Sequence, residues 1–128
     1  MSQENVEIVR RAYEALADRD WDALFRYAHP EFALVTQLQG SYRGREDARR
    51  FIEDQIGAFQ TWTAEPEEYF EGSDRVVAFV RSRAQPRGSS AEIEIKVAAV
   101  WTFRDGKVLT IETFPKRQQA LEAAGLSG

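Results

Sequence analysis

Two stretches decide the fold: Arg75-Val76-Val77-Ala78-Phe79-Val80-Arg81-Ser82-Arg83-Ala84-Gln85 and Ala91-Glu92-Ile93-Glu94-Ile95-Lys96-Val97-Ala98-Ala99-Val100-Trp101-Thr102-Phe103. Both are rich in Val, Ile and aromatic residues, and the intervening Pro86-Arg87-Gly88-Ser89 has turn chemistry. They predict an antiparallel hairpin. If Gln85 faces Ser90, Arg83 meets Glu92 and Arg81 meets Glu94, so opposite charges pair across the strands. That register places Val76, Ala78, Val80 and Ser82 on one face with Ile93, Ile95, Val97 and Ala99, the expected inner face. The other face is polar at Glu92, Glu94 and Lys96, then apolar at Ala98 and Val100. A solvated sheet face stays polar. Part of the outer face is therefore expected to be covered, most simply by a second copy in a symmetric homodimer.

Working outward, Asp105-Gly106 is a strong hairpin signal, and Lys107 to Phe114 reads as the last strand. Thr63 to Glu71 is a poorer strand, with Pro66 marking an edge position. Phe32 to Leu38 is another. Helices precede them. Val6, Val9, Tyr13 and Leu16 recur at three and four residues and predict a helix from about Gln3 to Asp18. Asp20 is an N-cap for a second helix carrying Trp21, Leu24, Phe25 and Ala28, ended by Pro30. A third opens near Gly44, with Ala48, Phe51, Ile52, Ile56 and Phe59 as its stripe. Pro115 and Gly125 bracket a tail helix. The expected order is α-α-β-α-β-β-β-β with that tail helix. Helices grouped ahead of an antiparallel meander mean α+β.

Composition bounds the function. The 128 residues form one domain. Such a chain would expose about 6,900 Å² folded against about 21,000 Å² extended, enough burial to fold without cross-links. There is no cysteine and one histidine, His29. Disulfide scaffolds, thiol nucleophiles and multi-histidine metal clusters are excluded, and neither metal nor cofactor is expected. The net charge of −4 argues against nucleic acid as the main partner. No apolar run is long enough to span a membrane, and the polar start Met1-Ser2-Gln3-Glu4-Asn5 lacks a signal-peptide profile, so a cytoplasmic location is expected.

Five strings in order carry a resemblance: Arg11-Ala12-Tyr13-Glu14-Ala15-Leu16, Asp20-Trp21-Asp22-Ala23-Leu24, His29-Pro30-Glu31, Tyr42-Arg43-Gly44-Arg45-Glu46 and Val100-Trp101-Thr102-Phe103-Arg104-Asp105-Gly106-Lys107-Val108. Over nearly its whole length the chain resembles the nuclear transport factor 2-like superfamily, in particular its SnoaL-like and ketosteroid isomerase-like members. The resemblance implies a cone-shaped α+β barrel of cystatin-like type, with a curved antiparallel sheet and three helices on its concave face. It implies a pocket for a small hydrophobic molecule. Any catalysis would be cofactor-free proton transfer, as in an isomerase, a polyketide cyclase or a lyase. Non-catalytic members occur as well, so fold does not settle function. The resemblance puts Tyr13 where a tyrosine donates a hydrogen bond to the substrate oxygen. It puts the aspartate base position at or next to Thr36 and the position of a protonated aspartic acid on Ala99 or within one residue of it, and no acid is near.

Three side chains are candidates for chemistry. Tyr13 is a phenol on an apolar helix face, suited to bind an oxyanion or simply to bond within the core. His29, of the residue type that titrates near neutral pH, reads as a helix C-terminal cation or as a general base at the pocket mouth. Glu112 depends on register. A strict two-residue turn at Asp105-Gly106 sets it opposite Ala99 and inward, where a carboxylate suits proton transfer. A three-residue turn sets Ile111 there and Glu112 outside. The expected pocket lining is Phe25, Thr36, Phe51, Phe59, Val97, Ala99 and Trp101. Arg43 and Arg45 flank Gly44 as a solvated pair or an anion contact. Glu65, Glu67, Glu68 and Glu71 read as a charged edge.

Overall fold

The computed structural model describes residues 2–37 and 39–126; the expected strand end at Leu38 lies outside them. Three helices lead: α1 (Ser2–Ala17), the single turn α2 (Trp21–Leu24) and, after two strands, α3 (Gly44–Gly57). The strands are β1 (Ala28–Thr36), β2 (Gly40–Arg43), β3 (Phe59–Glu71), β4 (Arg75–Pro86), β5 (Ile93–Arg104) and β6 (Lys107–Phe114), followed by α4 (Arg117–Ala123). The fold is α+β, a curved six-stranded sheet in the order β2-β1-β6-β5-β4-β3. Pro66 does lie on an edge strand, β3.

Four local expectations need correction. First, β2 is an extra strand, folded back on β1 through positive-φ Gly40. Second, the second helix stops at Leu24. Asp20 caps it, accepting from the Ala23 N–H at 3.2 Å, but β1 already begins at Ala28, so His29 is a strand residue and not a helix terminus. Third, Phe59 opens β3 instead of ending α3. Fourth, the sheet is not wholly antiparallel. The four-stranded meander β3 to β6 ends in a strand that meets β1 parallel.

The hairpin of β4 and β5 keeps its faces but slips by two residues. Arg83 faces Glu94, with an ion pair at 3.6 Å, and Arg81 faces Lys96. The connection is longer because its residues bond elsewhere. Gln85 Nε2 donates to the Ser89 carbonyl at 2.7 Å, and Pro86 pairs with Phe59 of β3. A slip of two preserves the side-chain alternation. Val76, Ala78, Val80, Ala99, Trp101 and Phe103 therefore face inward, against Val9 and Ala12 of α1 and Ala48 of α3.

The outer face is apolar where the sequence said so, but its cover comes from the same chain. Ala120 of α4 and Ala124 just after it, with Leu121 and Leu126, pack on Val77, Phe79, Ala98, Val100 and Phe114. Arg117 anchors α4, donating to Glu67 at 2.8 Å with its guanidinium 4.5 Å from the centre of the Phe79 ring. Glu67 also pairs with Arg81 at 3.5 Å, so part of the acidic edge is an anchor for the tail helix. Gly125, at φ 72°, closes α4 in the left-handed region.

Phe32 is 2% exposed and meets Phe25 edge to face at 5.8 Å. Phe32→Ala should destabilise the protein by about 3–5 kcal/mol, read as a lowered urea midpoint; a loss below about 1 kcal/mol would mean that the site collapses around the gap.

Candidate functional site

Inner-face residues line up in rows across the sheet. Leu34 of β1, Ile111 of β6, Trp101 of β5 and Val76 of β4 form one row; Thr36, Thr113, Ala99 and Ala78 form the next. Between these rows and the helices lies a cavity of about 350 Å³, within the range of small-molecule sites. Tyr13 and Leu16 of α1 and Phe51, Ile52 and Ile56 of α3 form its helical side. None of its lining residues is charged.

Tyr13 is the cavity's polar landmark. Its ring meets Trp101 edge to face at 5.6 Å and 63°. Trp101 Nε1 donates to the Tyr13 hydroxyl at 3.4 Å, a long bond. The hydroxyl acts as an acceptor there, and among the described residues its own proton has no acceptor. Burial pushes the phenol's pKa well above its ordinary value, and the Trp101 bond offsets only part of that. The group therefore stays protonated and able to donate across the neutral range. A second phenol, Tyr69 on β3, is also raised by burial, and its hydroxyl is buried without a partner among the described residues, but it does not line the cavity.

Of the residues expected to line the pocket, Thr36, Phe51, Phe59, Val97, Ala99 and Trp101 do so. Phe25 does not; it packs in the core against Phe32. The Thr36 hydroxyl is engaged locally, donating to the Gly40 carbonyl at 2.7 Å and accepting from the Gln39 N–H at 2.9 Å. His29 lies outside the cavity, and its Nδ1 accepts from the Glu31 N–H at 3.0 Å.

Glu112 is placed by a detail between the two turns considered. Asp105 and Gly106 do form a two-residue turn, both at positive φ, with Arg104 facing Lys107. A bulge then follows. Phe103 faces Val108 but Thr102 faces Thr110, leaving Leu109 unpaired. Beyond it Trp101 faces Ile111, and Glu112 faces Val100 on the outer side. There Gln37 Nε2 donates to its Oε2 at 3.4 Å. Without the bulge Val108, Thr110 and Glu112 would point inward; with it Val108, Ile111 and Thr113 do. Burying an isoleucine in place of an unpaired carboxylate decides the matter.

The sequence reading missed Trp62 as a lining residue. Trp62 faces Ala84 and closes one wall of the cavity. Arg19 fixes it, donating to the Leu16 carbonyl at 2.7 Å and the Trp62 carbonyl at 2.8 Å from a positive-φ turn after α1. The signal was Phe59-Gln60-Thr61-Trp62-Thr63, a run of aromatic and β-branched residues that belongs to the start of β3, its register shifting between Phe59 and Thr61. Arg43 and Arg45 are exposed and lie outside the cavity. Among the described residues no group of three or more His, Asp or Glu side chains is placed to hold a metal ion, and no helix is long and apolar enough to cross a membrane.

A curved sheet closed by α1, α2 and α3 around an apolar cavity is the nuclear transport factor 2-like, ketosteroid isomerase-like fold. The chain belongs to the SnoaL-like domain family, whose pattern it matches over residues 9–111. Solved structures share the fold. TerC, co-crystallised with polyporic acid, is 23% identical over 93% of this chain and 96% of its own, with a TM-score of 0.80. A putative SnoaL-like polyketide cyclase from Jannaschia sp. CCS1 is 20% identical over 100% of this chain and 95% of its own, at 0.79. Rv0760c from Mycobacterium tuberculosis, in complex with estradiol-17β-hemisuccinate, is 12% identical over 92% and 97%, at 0.75. No curated protein matches the sequence.

The buried phenol predicts alkaline behaviour. In the unfolded chain Tyr13 ionises near its ordinary value of 10.0, whereas the folded state resists ionisation. Its contribution to stability is complete below that value and falls as pH rises above it. Stability of the parent chain should drop more steeply above about pH 10 than that of Tyr13→Phe, measured as urea midpoints across the pH series; equal slopes would show that the phenol is not shielded.

Proposed function

We propose that the protein binds a small, neutral, largely apolar molecule in the cavity and holds one of its oxygens through the Tyr13 hydroxyl. The observation that carries this is the unused phenol proton set in an uncharged, mostly apolar lining whose other polar side chains are Thr36, Thr113, Ser82 and three glutamines. A carbonyl or hydroxyl oxygen offered there would complete the chain Trp101 N–H to Tyr13 to ligand. Such a chain in a dry site is stronger than either bond alone in water. TerC and Rv0760c, which share this fold, were crystallised with small molecules, which supports small-molecule binding.

Binding rather than turnover is the reading we adopt. Proton transfer needs a base within reach of the substrate. Thr36 and Ala99 occupy the two acidic positions suggested by the family resemblance, and His29 and Glu112 lie outside the cavity. Tyr13 remains, as a donor that would hold a ligand oxygen equally well without reaction. A homodimer through the outer face would form beside α4, over the polar end of β5, and sedimentation equilibrium decides it.

The test uses quenching of Trp62 and Trp101 fluorescence by a bicyclic ketone, 1-tetralone, and by its hydrocarbon, tetralin. The ketone should bind roughly two- to tenfold more tightly, the worth of one ordinary hydrogen bond. Tyr13→Phe should erase that difference while leaving the hydrocarbon's affinity within about twofold. Equal affinities of ketone and hydrocarbon for the parent chain, or no saturable binding of either, would overturn the reading.

A further inference from the structure

The cavity does not end at Val97. Beyond it β5 continues toward its start with Ile95 and Ile93, which are 49% and 42% exposed. They are two of the three exposed large hydrophobic residues among those described, and both line the same cavity as Tyr13. Isoleucine left half in water on a strand is a poor use of apolar surface unless something covers it.

Register gives this surface a shape. Ile93 faces Ala84, and Ala84 faces Trp62; Ile95 faces Ser82, and Ser82 faces Ala64. The central strand β4 thus carries only small residues here, while β5 carries isoleucines and β3 carries Trp62. Ser82, Ala84 and Ala64 form the floor of a trough, with Ile93 and Ile95 along one wall and Trp62 at the other. The walls stand two strand spacings apart, about 9.5 Å between backbones, which leaves room for one slender chain between the side chains. From Val97 to Ile93 the trough runs about 13 Å. It is continuous with the cavity, and no charged side chain lines it.

We propose that this trough holds the aliphatic tail of the ligand, so that the ligand class is an oxygenated head with a linear hydrocarbon chain and not a compact ring system alone. The inference rests on the binding reading above, which supplies the head group at Tyr13. A tail laid in the trough covers the two isoleucines and removes their exposed apolar surface from water. Flanking Glu94 and Lys96 point to the outer face and do not oppose an apolar chain.

The test is a series of phenyl alkyl ketones with tails from one to fourteen carbons, titrated by tryptophan fluorescence. Affinity should rise roughly two- to fourfold per methylene, the yield of partial to full burial of each CH₂. It should level off near ten carbons, when the chain outruns about 13 Å of strand. The double variant Ile93→Ser/Ile95→Ser changes only half-exposed side chains and should keep the parent's melting temperature. In it the gain should stop several carbons earlier. Affinity independent of tail length, with the shortest ketone still bound, would overturn the trough and leave the binding reading intact. So would a parent dimer that the double variant turns into a monomer, because a second copy would then be the cover. No binding of any member, the shortest included, would overturn both.

Discussion

The centre of this sheet is apolar on both faces, and that constraint organises the molecule. Val76, Ala78, Ala99 and Trp101 point one way and Val77, Phe79, Ala98 and Val100 the other, all nearly inaccessible to solvent. Neither set can be left in water. Helices α1 to α3 take the first, and α4 takes the second. Burial on two sides fixes the paired strands β4 and β5 as the rigid spine on which the rest is registered. The cavity exists because the inner cover is incomplete at one end. Toward the start of β5 the inner face continues as Ile95 and Ile93, which are left half exposed.

The bulge at Leu109 follows from the same demand. A regular hairpin would carry Thr110 and Glu112 onto the inner face opposite Trp101 and Ala99. Leaving one residue unpaired disturbs the ladder locally, whereas an unpaired carboxylate in an apolar layer costs several kcal/mol. The consequence for chemistry is large. The cavity loses this acid and gains Ile111, so the site becomes one for contact and hydrogen bonding. Tyr13 is then its main directional group, held by Trp101 on one side and presented from a helix on the other.

The contrast between Thr36 and Tyr13 shows how position outweighs residue type. Both hydroxyls line the cavity. That of Thr36 both donates and accepts in fixing the β1–β2 turn, and it has little left for a ligand. That of Tyr13 accepts one long bond and retains its proton. Only the second is free to act on what enters.

Much was legible in the chain alone. The α+β class, the edge position of Pro66, the turn at Asp105-Gly106, the inner-face alternation and part of the cavity lining follow from periodicity and turn chemistry, which are local properties of neighbouring residues. Placing Tyr13 and Trp101 on facing apolar surfaces needed nothing more. The tertiary structure alone decided the rest. It set the two-residue slip of β4 on β5, the bulge that turns Glu112 out, the tail helix over the apolar outer face, and Trp62 across the small residues of β4 from Ile93 and Ile95. Each of these depends on which distant residue competes for the same buried space. A period of two along a strand says which side chains share a face; it does not say which face the rest of the molecule will cover.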